Sequence, residues 1–232
     1  MKREYTNIIR FLMDELVPPI IRDSYWFMYP FFYFAYGTRK NLKRKMQFKS
    51  LAYSMNSEEY KAFCIENLIP FKRKTNLCES NIEMILSNIK HDSGSVLDVG
   101  CGNGYLLNRV AETNPNLELS GLDIMQDPNL KNIAFTMGDI SNASFADNHF
   151  DTVMCTHTLE HIIDVQKAFD ELIRITKRKL IIVVPCQRYF YYTVDGHMHF
   201  FHKEAELLRY LPFKKFTLKK LHMDWVYIGE KN

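Results

Sequence analysis

The segment Gly100-Cys101-Gly102-Asn103-Gly104 is where the backbone, bare of side chains at alternate positions, can come closest to a ligand. It follows Val96-Leu97-Asp98-Val99, an apolar run carrying one acid, and precedes Leu106, Leu107 and Val110 at helical spacing. A buried strand, a glycine turn and a helix start, in that order, present unpaired N–H groups at the carboxyl end of a strand, where a carboxylate or phosphate can bind. Two more acids, Asp123 and Asp139, close the apolar runs that come next. Imidazoles gather in two later segments. His157 and His161 lie in Thr156-His157-Thr158-Leu159-Glu160-His161, and His197, His199 and His202 lie in Asp195-Gly196-His197-Met198-His199-Phe200-Phe201-His202. Histidine exchanges protons near neutral pH, and a positioned general base accelerates proton removal by ~10²–10⁴-fold. The chain therefore offers a ligand cradle followed by several bases.

Periodicity shows which elements must hold these residues. After Ser93-Gly94, short apolar runs at 96–99, 117–122, 133–137, 152–155 and 180–184 alternate with helical patterns through Leu106 and Val110 and through Phe169, Leu172 and Ile173. Such alternation implies a mostly parallel sheet covered on both faces. A short helix over 203–210 precedes two last runs, 213–221 and 225–228, which lie too close together for a helical crossover and should pair antiparallel. Upstream, helical spacing over 4–17 should end at Val17-Pro18-Pro19. An aromatic stretch fills 25–36, another helix begins at Ser57, and a third runs over 76–90 with Ile82, Ile85, Leu86 and Ile89 on its buried face. The expected organisation is a helical extension, residues 1–75, and a doubly wound α/β domain, residues 76–232.

A dinucleotide fingerprint requires G-x-G-x-x-G, and its last position here is Tyr105. The spacing found, G-x-G-x-G with Asp98 two residues ahead, resembles motif I of class I S-adenosylmethionine-dependent methyltransferases over the nine positions 96–104. The resemblance covers roughly residues 77–230. It implies an α/β, Rossmann-like seven-stranded, mostly parallel sheet in the order 3-2-1-4-5-7-6, with strand 7 antiparallel. It also implies S-adenosyl-L-methionine as cofactor and S-adenosyl-L-homocysteine as product. On that likeness Gly100, Cys101, Gly102 and Gly104 bind the cofactor, and Asp98 lies near its methionine end, bonding turn amides or the amino group. Asp123, with Ile124 beside it, accepts bonds from the ribose hydroxyls, and Asp139 faces the adenine amino group while Ile140 flanks the ring. Thr156 and His157, at the end of the fourth strand, approach the methionine.

The acceptor is read from the later segments. Leu159-Glu160-His161-Ile162 resembles the post-strand-4 motif of small-molecule methyltransferases. The Asn/Asp-Pro-Pro-aromatic sequence of nucleic-acid amino-methyltransferases is absent, as is the glutamate pair of protein arginine methyltransferases. Pro185, then Asp195-Gly196-His197-x-His199-Phe200-Phe201, resembles methyltransferases encoded among surface-polysaccharide genes. That likeness implies O-methylation of a sugar or sugar nucleotide, with His161, His197 or His199 binding the acceptor or acting as base. The alternative for His161 is a helix-start histidine bonded to backbone, and for His197 and His199 a hydrogen-bonded loop staple. An extended loop would put His197 and His199 on one face and His202 on the other. Asp195, His197 and His199 could approach one ion, but no further ligand is spaced to join them and no metal is expected.

Composition narrows the partners. A net charge of +3 argues against a dedicated nucleic-acid binder; the partner that the resemblance implies is a small-molecule acceptor, in some cases phosphorylated. Five scattered cysteines without a Cys-x-x-Cys pair fit a reduced compartment. No apolar run reaches the ~20 residues of a spanning helix, and residues 1–17 lack the features of a secretory signal, so a cytoplasmic location is expected. Arg39, Lys40, Lys43, Arg44, Lys45 and Lys49 follow the aromatics with no acid between 38 and 49. One reading makes this extension a lid over the acceptor pocket, its cations solvated or meeting a phosphorylated substrate. The other makes residues 25–49 a peripheral contact with anionic lipid at the inner face of the membrane, which would suit a lipid-linked or quinone acceptor. A non-catalytic binding protein on the same fold is a third reading, disfavoured by the intact acids Asp98, Asp123 and Asp139.

Overall fold

The apolar runs become the strands of one sheet. The computed structural model describes residues 8, 9, 11–37, 41–67, 74–125 and 133–231. Its strands are β1 (Ser95–Val99), β2 (Glu118–Asp123), β3 (Ala134–Met137), β4 (Phe150–Thr156), β5 (Thr176–Pro185), β6 (Lys215–Leu221) and β7 (Asp224–Glu230). They lie in the order β3-β2-β1-β4-β5-β7-β6. β1 to β5 pair in parallel, and β7 runs antiparallel to both β5 and β6. Both the order and the polarity of the seventh strand are those implied by the resemblance.

The core follows from the two-residue period of a strand. Leu97 and Val99 of β1 and Leu180, Ile182 and Val184 of β5 face helix α8 (Val165–Ile175), which buries Ala168, Phe169, Leu172 and Ile175 against them. Val96, Ile181 and Val183 face the other way, against α6 (Glu79–Ile89) and α7 (Tyr105–Thr113). Asp164 caps α8 by accepting the Lys167 N–H at 3.1 Å. β5 begins earlier than its apolar run because its polar start is paired, Lys179 Nζ lying 2.7 Å from Asp92 Oδ2. The edge strand β6 is largely exposed, and its lysines discourage pairing with a second chain.

Upstream, α1 (Pro19–Arg22), α2 (Tyr25–Tyr36), α3 (Leu42–Met46), α4 (Phe48–Ala52) and α5 (Ser57–Asn67) roof the segment that follows β5. Met28, Phe32, Leu42 and Met46 close around Phe190, and Phe48, Ala52 and Phe63 around Met198. Buried cations fasten the two together. Arg22 Nη2 donates to the Tyr189 carbonyl at 2.6 Å. The Lys49 ammonium donates to the Phe190 carbonyl and faces the rings of Tyr189 and Phe200 at 4.3 and 4.2 Å.

Lys49 is thus a buried anchor rather than a solvated cation of a basic run, and Arg39 and Lys40 of that run lie outside the described residues. So does most of the start of the helical pattern over 4–17. Its described part is helical at Ile8, Ile9 and Phe11 and ends in a π-helical turn, Leu12–Leu16, stopped at Val17, whose extended backbone suits a residue before proline. Helix α2 is apolar all round: Met28 and Phe32 are buried while Trp26 and Phe34 are each 81% exposed. Among the described residues no helix is long and apolar enough to cross a membrane.

Candidate active site

The glycine turn joins the end of β1 to α7. Gly100, Gly102 and Gly104 all adopt positive φ (74°, 53° and 72°), a region costly for side-chain-bearing residues. At Gly100 space is limiting as well, because a Cβ would meet Thr158 Oγ1 at 2.0 Å. Thr158 in turn donates to the carbonyls of Val99 and Thr156, so the turn lies directly against the segment after β4. A Cβ on Gly102 would meet nothing within 4 Å, which leaves its outer side open as a cradle.

Two acids meet this turn. Asp98 is 1% exposed, and its Oδ1 has no hydrogen-bond partner. Burial, reinforced by the Asp123 carboxylate, pushes its pKa up to about 8. Asp123 closes β2 and accepts the Gly102 N–H at 2.8 Å through Oδ2 and the Met125 N–H at 2.8 Å through Oδ1. Each oxygen keeps a lone pair for a ligand hydroxyl. Ile124 is half-buried next to it. Cys101 is buried beneath the turn, its thiol pushed well up by burial and by Asp98 and Asp123. Asp139 accepts the Ser141 N–H at 2.8 Å and caps a turn of 3₁₀ helix that begins at the buried Ile140. An orphaned carboxylate under an open backbone cradle, flanked by two further strand-end acids, fits an ammonium-bearing adenosyl ligand.

The histidines form a second constellation. Beyond Thr156, His157 takes positive φ (51°), and its N–H donates to the Val183 carbonyl at 2.8 Å. Its ring lies between Glu160 Oε1 at 3.3 Å and Asp224 Oδ2 at 3.4 Å. Burial disfavours the imidazolium, yet Asp224 and Glu160 hold its pKa up to about 9. Burial likewise opposes charge on Glu160, but His157, helped by His161 and His197, draws its pKa down to about 2. The His157 side chain is therefore engaged with carboxylates, which leaves its backbone as the part able to meet a cofactor. The Glu160 carbonyl accepts the N–H groups of Met198 and His199 at 2.7 and 3.1 Å, pinning the loop after β5 onto the segment after β4.

That pinning brings His161 and His197 together, with ring centroids 5.0 Å apart. It also separates His197 from His199, contrary to the extended-loop expectation. His197 is buried, with Nδ1 2.8 Å from Gln187 Oε1, whereas His199 Nε2 donates to the Ile163 carbonyl at 3.1 Å. Asp195 and Gly196 border a cavity also lined by Tyr36, Lys45, Phe48 and Phe63. Tyr60 donates its hydroxyl to the His161 carbonyl from the N-terminal roof. Glu160 is the central residue that sequence reasoning passed over. Its one signal was its place in the Leu159-Glu160-His161-Ile162 stretch, between His157 and His161.

With the fold and site in place, comparison with known proteins defines the class. A family model described as "Methyltransferase domain" matches residues 90–211, more than half of the chain. The chain belongs to that family of methyltransferases. It is similar to a demethylmenaquinone methyltransferase of Thermotoga maritima, 26% identical over 126 residues, which is 52% of this chain and 54% of that one. It is also similar to a tRNA U34 carboxymethyltransferase of Nautilia profundicola, 31% identical over 99 residues, 38% of this chain and 33% of that one. The chain thus spans about half or less of these curated relatives. Among solved structures, an O-methyltransferase family protein from Burkholderia thailandensis superposes with a TM-score of 0.59 at 14% identity, over 86% of this chain and 70% of that one.

Proposed function

We propose that this chain is a cytoplasmic S-adenosylmethionine-dependent O-methyltransferase acting on a sugar or sugar nucleotide destined for a surface glycan. The observation that carries the cofactor assignment is Asp98, a buried carboxylate whose Oδ1 lacks a partner, at the strand end beneath an open glycine cradle. A ligand ammonium is the partner it lacks, Asp123 serves the ribose hydroxyls, and Asp139 with Ile140 serves the adenine. When bound, S-adenosylmethionine supplies a methyl group activated on a sulfonium. Its in-line transfer asks the protein chiefly for positioning.

The acceptor reading rests on the cavity under the N-terminal roof. Phe48, Phe63 and Tyr36 give this small cavity, of about 20 Å³, apolar walls, and Asp195 and Lys45 give it charged groups of the kind that meet sugar hydroxyls or phosphate. His161 Nδ1 is 3.3 Å from the Gly196 carbonyl, so this imidazole sits beside the cavity as the base candidate for an acceptor hydroxyl. Likeness to an O-methyltransferase family protein is in keeping with this chemistry. Incubation with S-adenosylmethionine and a panel of nucleotide sugars, read by mass spectrometry, tests it. A singly methylated sugar is expected; methylation of a quinol or lipid-linked acceptor with none of any sugar overturns it.

A second reading, a lipid-linked or quinone acceptor, is favoured by the outward face of the N-terminal helices. Ile20, Trp26 and Phe34 are 85%, 81% and 81% exposed, close in sequence to Lys43 and Arg44. The demethylmenaquinone methyltransferase relative points the same way. Co-sedimentation with anionic phospholipid vesicles decides it: wild type should partition and the Trp26→Ser/Phe34→Ser variant should not, and equal partitioning removes this reading.

A further inference from the structure

We propose that Glu160, His161 and His197 form a divalent transition-metal site, with Asp195 at its rim, between the end of β4 and the cavity under the N-terminal helices. No ion is expected from the spacing of Asp195, His197 and His199, and His199 is indeed tied elsewhere. The fold supplies a different set. One nitrogen of each of His161 and His197 and one oxygen of Glu160 lie within 4.8 Å of one another.

The second nitrogens are already committed. His161 Nδ1 faces the Gly196 carbonyl at 3.3 Å. A carbonyl only accepts, so in the neutral ring Nδ1 carries the proton and Nε2 presents its lone pair. His197 places Nδ1 2.8 Å from Gln187 Oε1, and its Nε2 lies 3.4 Å from Asp195 Oδ2 and 4.0 Å from Glu160 Oε1. Metal-bound histidines characteristically donate their other N–H to oxygens of this kind. The rings are inclined at 71° with centroids 5.0 Å apart. Two imidazoles bound through Nε2 to one tetrahedral ion place their centroids about 5 Å apart.

Glu160 gives an independent sign. It is 1% exposed, and neither carboxylate oxygen accepts a hydrogen bond. His157 Nδ1 reaches ion-pair distance of Oε1, 3.3 Å, without hydrogen-bond alignment, and serves Asp224 with its other nitrogen. A buried carboxylate that meets only the misaligned His157, with the nitrogens of His161 and His197 on its other side, is a place where a cation set between these groups gains three donors. Two imidazoles and a carboxylate are the ligand set of Zn²⁺ and related ions, with a position left open. Asp195 Oδ2, 3.4 Å from His197 Nε2, borders that position and also lines the cavity. An acceptor hydroxyl placed there would be polarised by the ion rather than by a free imidazole.

The site is tested without reference to methyl transfer. The full chain, stripped with a chelator, is titrated with Zn²⁺ and, for its visible absorption, with Co²⁺. One equivalent with sub-micromolar Kd and the intense bands of four-coordinate Co²⁺ are expected. Glu160→Gln and His161→Ala should each weaken binding at least tenfold, and His199→Ala should bind as wild type. His161 is half-buried, so its variant keeps the proposal testable if Glu160→Gln unfolds, with circular dichroism as the check. No stoichiometric ion in wild type, or full binding in a folded His161→Ala, overturns the site. A chain that methylates an acceptor but binds no ion sinks the metal alone, and one that binds the ion but transfers no methyl sinks the functional reading alone.

Discussion

Replacing Asp98 by Asn separates what the buried acid costs the fold from what it contributes to the ligand. Its pKa is pushed up to about 8 by burial and by Asp123, against about 3.9 in an unfolded chain. The native state therefore holds a proton that the unfolded state has lost over the window from about pH 4 to 8, and stability falls as pH rises through it. Four units at 1.36 kcal/mol each give an upper figure of about 5 kcal/mol, removed in Asp98→Asn. Ligand binding runs the other way. An ammonium pairs with the ionised acid, so apparent affinity should rise about fiftyfold between pH 6 and pH 8 as the free site loses its proton. Asp98→Asn should lose that dependence and, with the charge-assisted bond gone, bind about ten- to a hundredfold more weakly at pH 8. Calorimetry with S-adenosylhomocysteine at pH 6, 7 and 8, beside urea unfolding of both proteins, measures the two effects. Equal affinity for the two proteins, or a wild type insensitive to pH over that range, refutes the assignment of Asp98 to the ligand.

Three further outcomes are expected. Gly100→Ala would place a Cβ 2.0 Å from Thr158 Oγ1 at φ +74°; a stability loss of at least about 1–3 kcal/mol should appear in urea unfolding, and a wild-type midpoint contradicts it. His199→Ala loses the bond to Ile163, so it should cost about 0.5–1.5 kcal/mol and leave turnover near wild type; lost turnover at unchanged stability would return His199 to a catalytic role. The Lys49 pKa is brought down to about 7, chiefly by burial, with Asp195 and Asp23 opposing. Its buried charge therefore penalises the fold in full below pH 7, and the penalty is relieved as pH rises from 7 toward 10.4. Between pH 7 and 9 the wild type should gain up to about 2.7 kcal/mol relative to Lys49→Met, whereas parallel profiles would contradict this.

Local chemistry made the glycine turn and its strand-end acids readable. Gly100, Gly102 and Gly104 sit where positive φ demands glycine, and Asp98 and Asp123 stand at strand ends that a two-residue apolar period locates. The sheet followed because its strands and helices differ in period. The histidine constellation was hidden for a physical reason: the segment between β5 and helix α9 (Glu204–Leu208) has no regular structure, so no period assigns its side chains to a face. Its course is set by the turn at Gly196 (φ +72°) and by the Glu160 carbonyl gripping Met198 and His199, both tertiary facts. Helix α2 defeated periodicity in another way, being apolar on every face, so that only packing could show Met28 and Phe32 turned inward and Trp26 and Phe34 outward.

The central claim is that the glycine turn with its strand-end acids holds the methyl donor. Titration calorimetry with S-adenosylhomocysteine on wild type and Gly102→Leu tests it most directly, because a Cβ at position 102 meets no protein atom within 4 Å, so that beyond the strain of φ +53° the change acts on the open side of the turn. One equivalent bound by wild type and none detectable in a folded Gly102→Leu is the expected result. Absence of binding in wild type, or equal binding in the variant, would contradict the account.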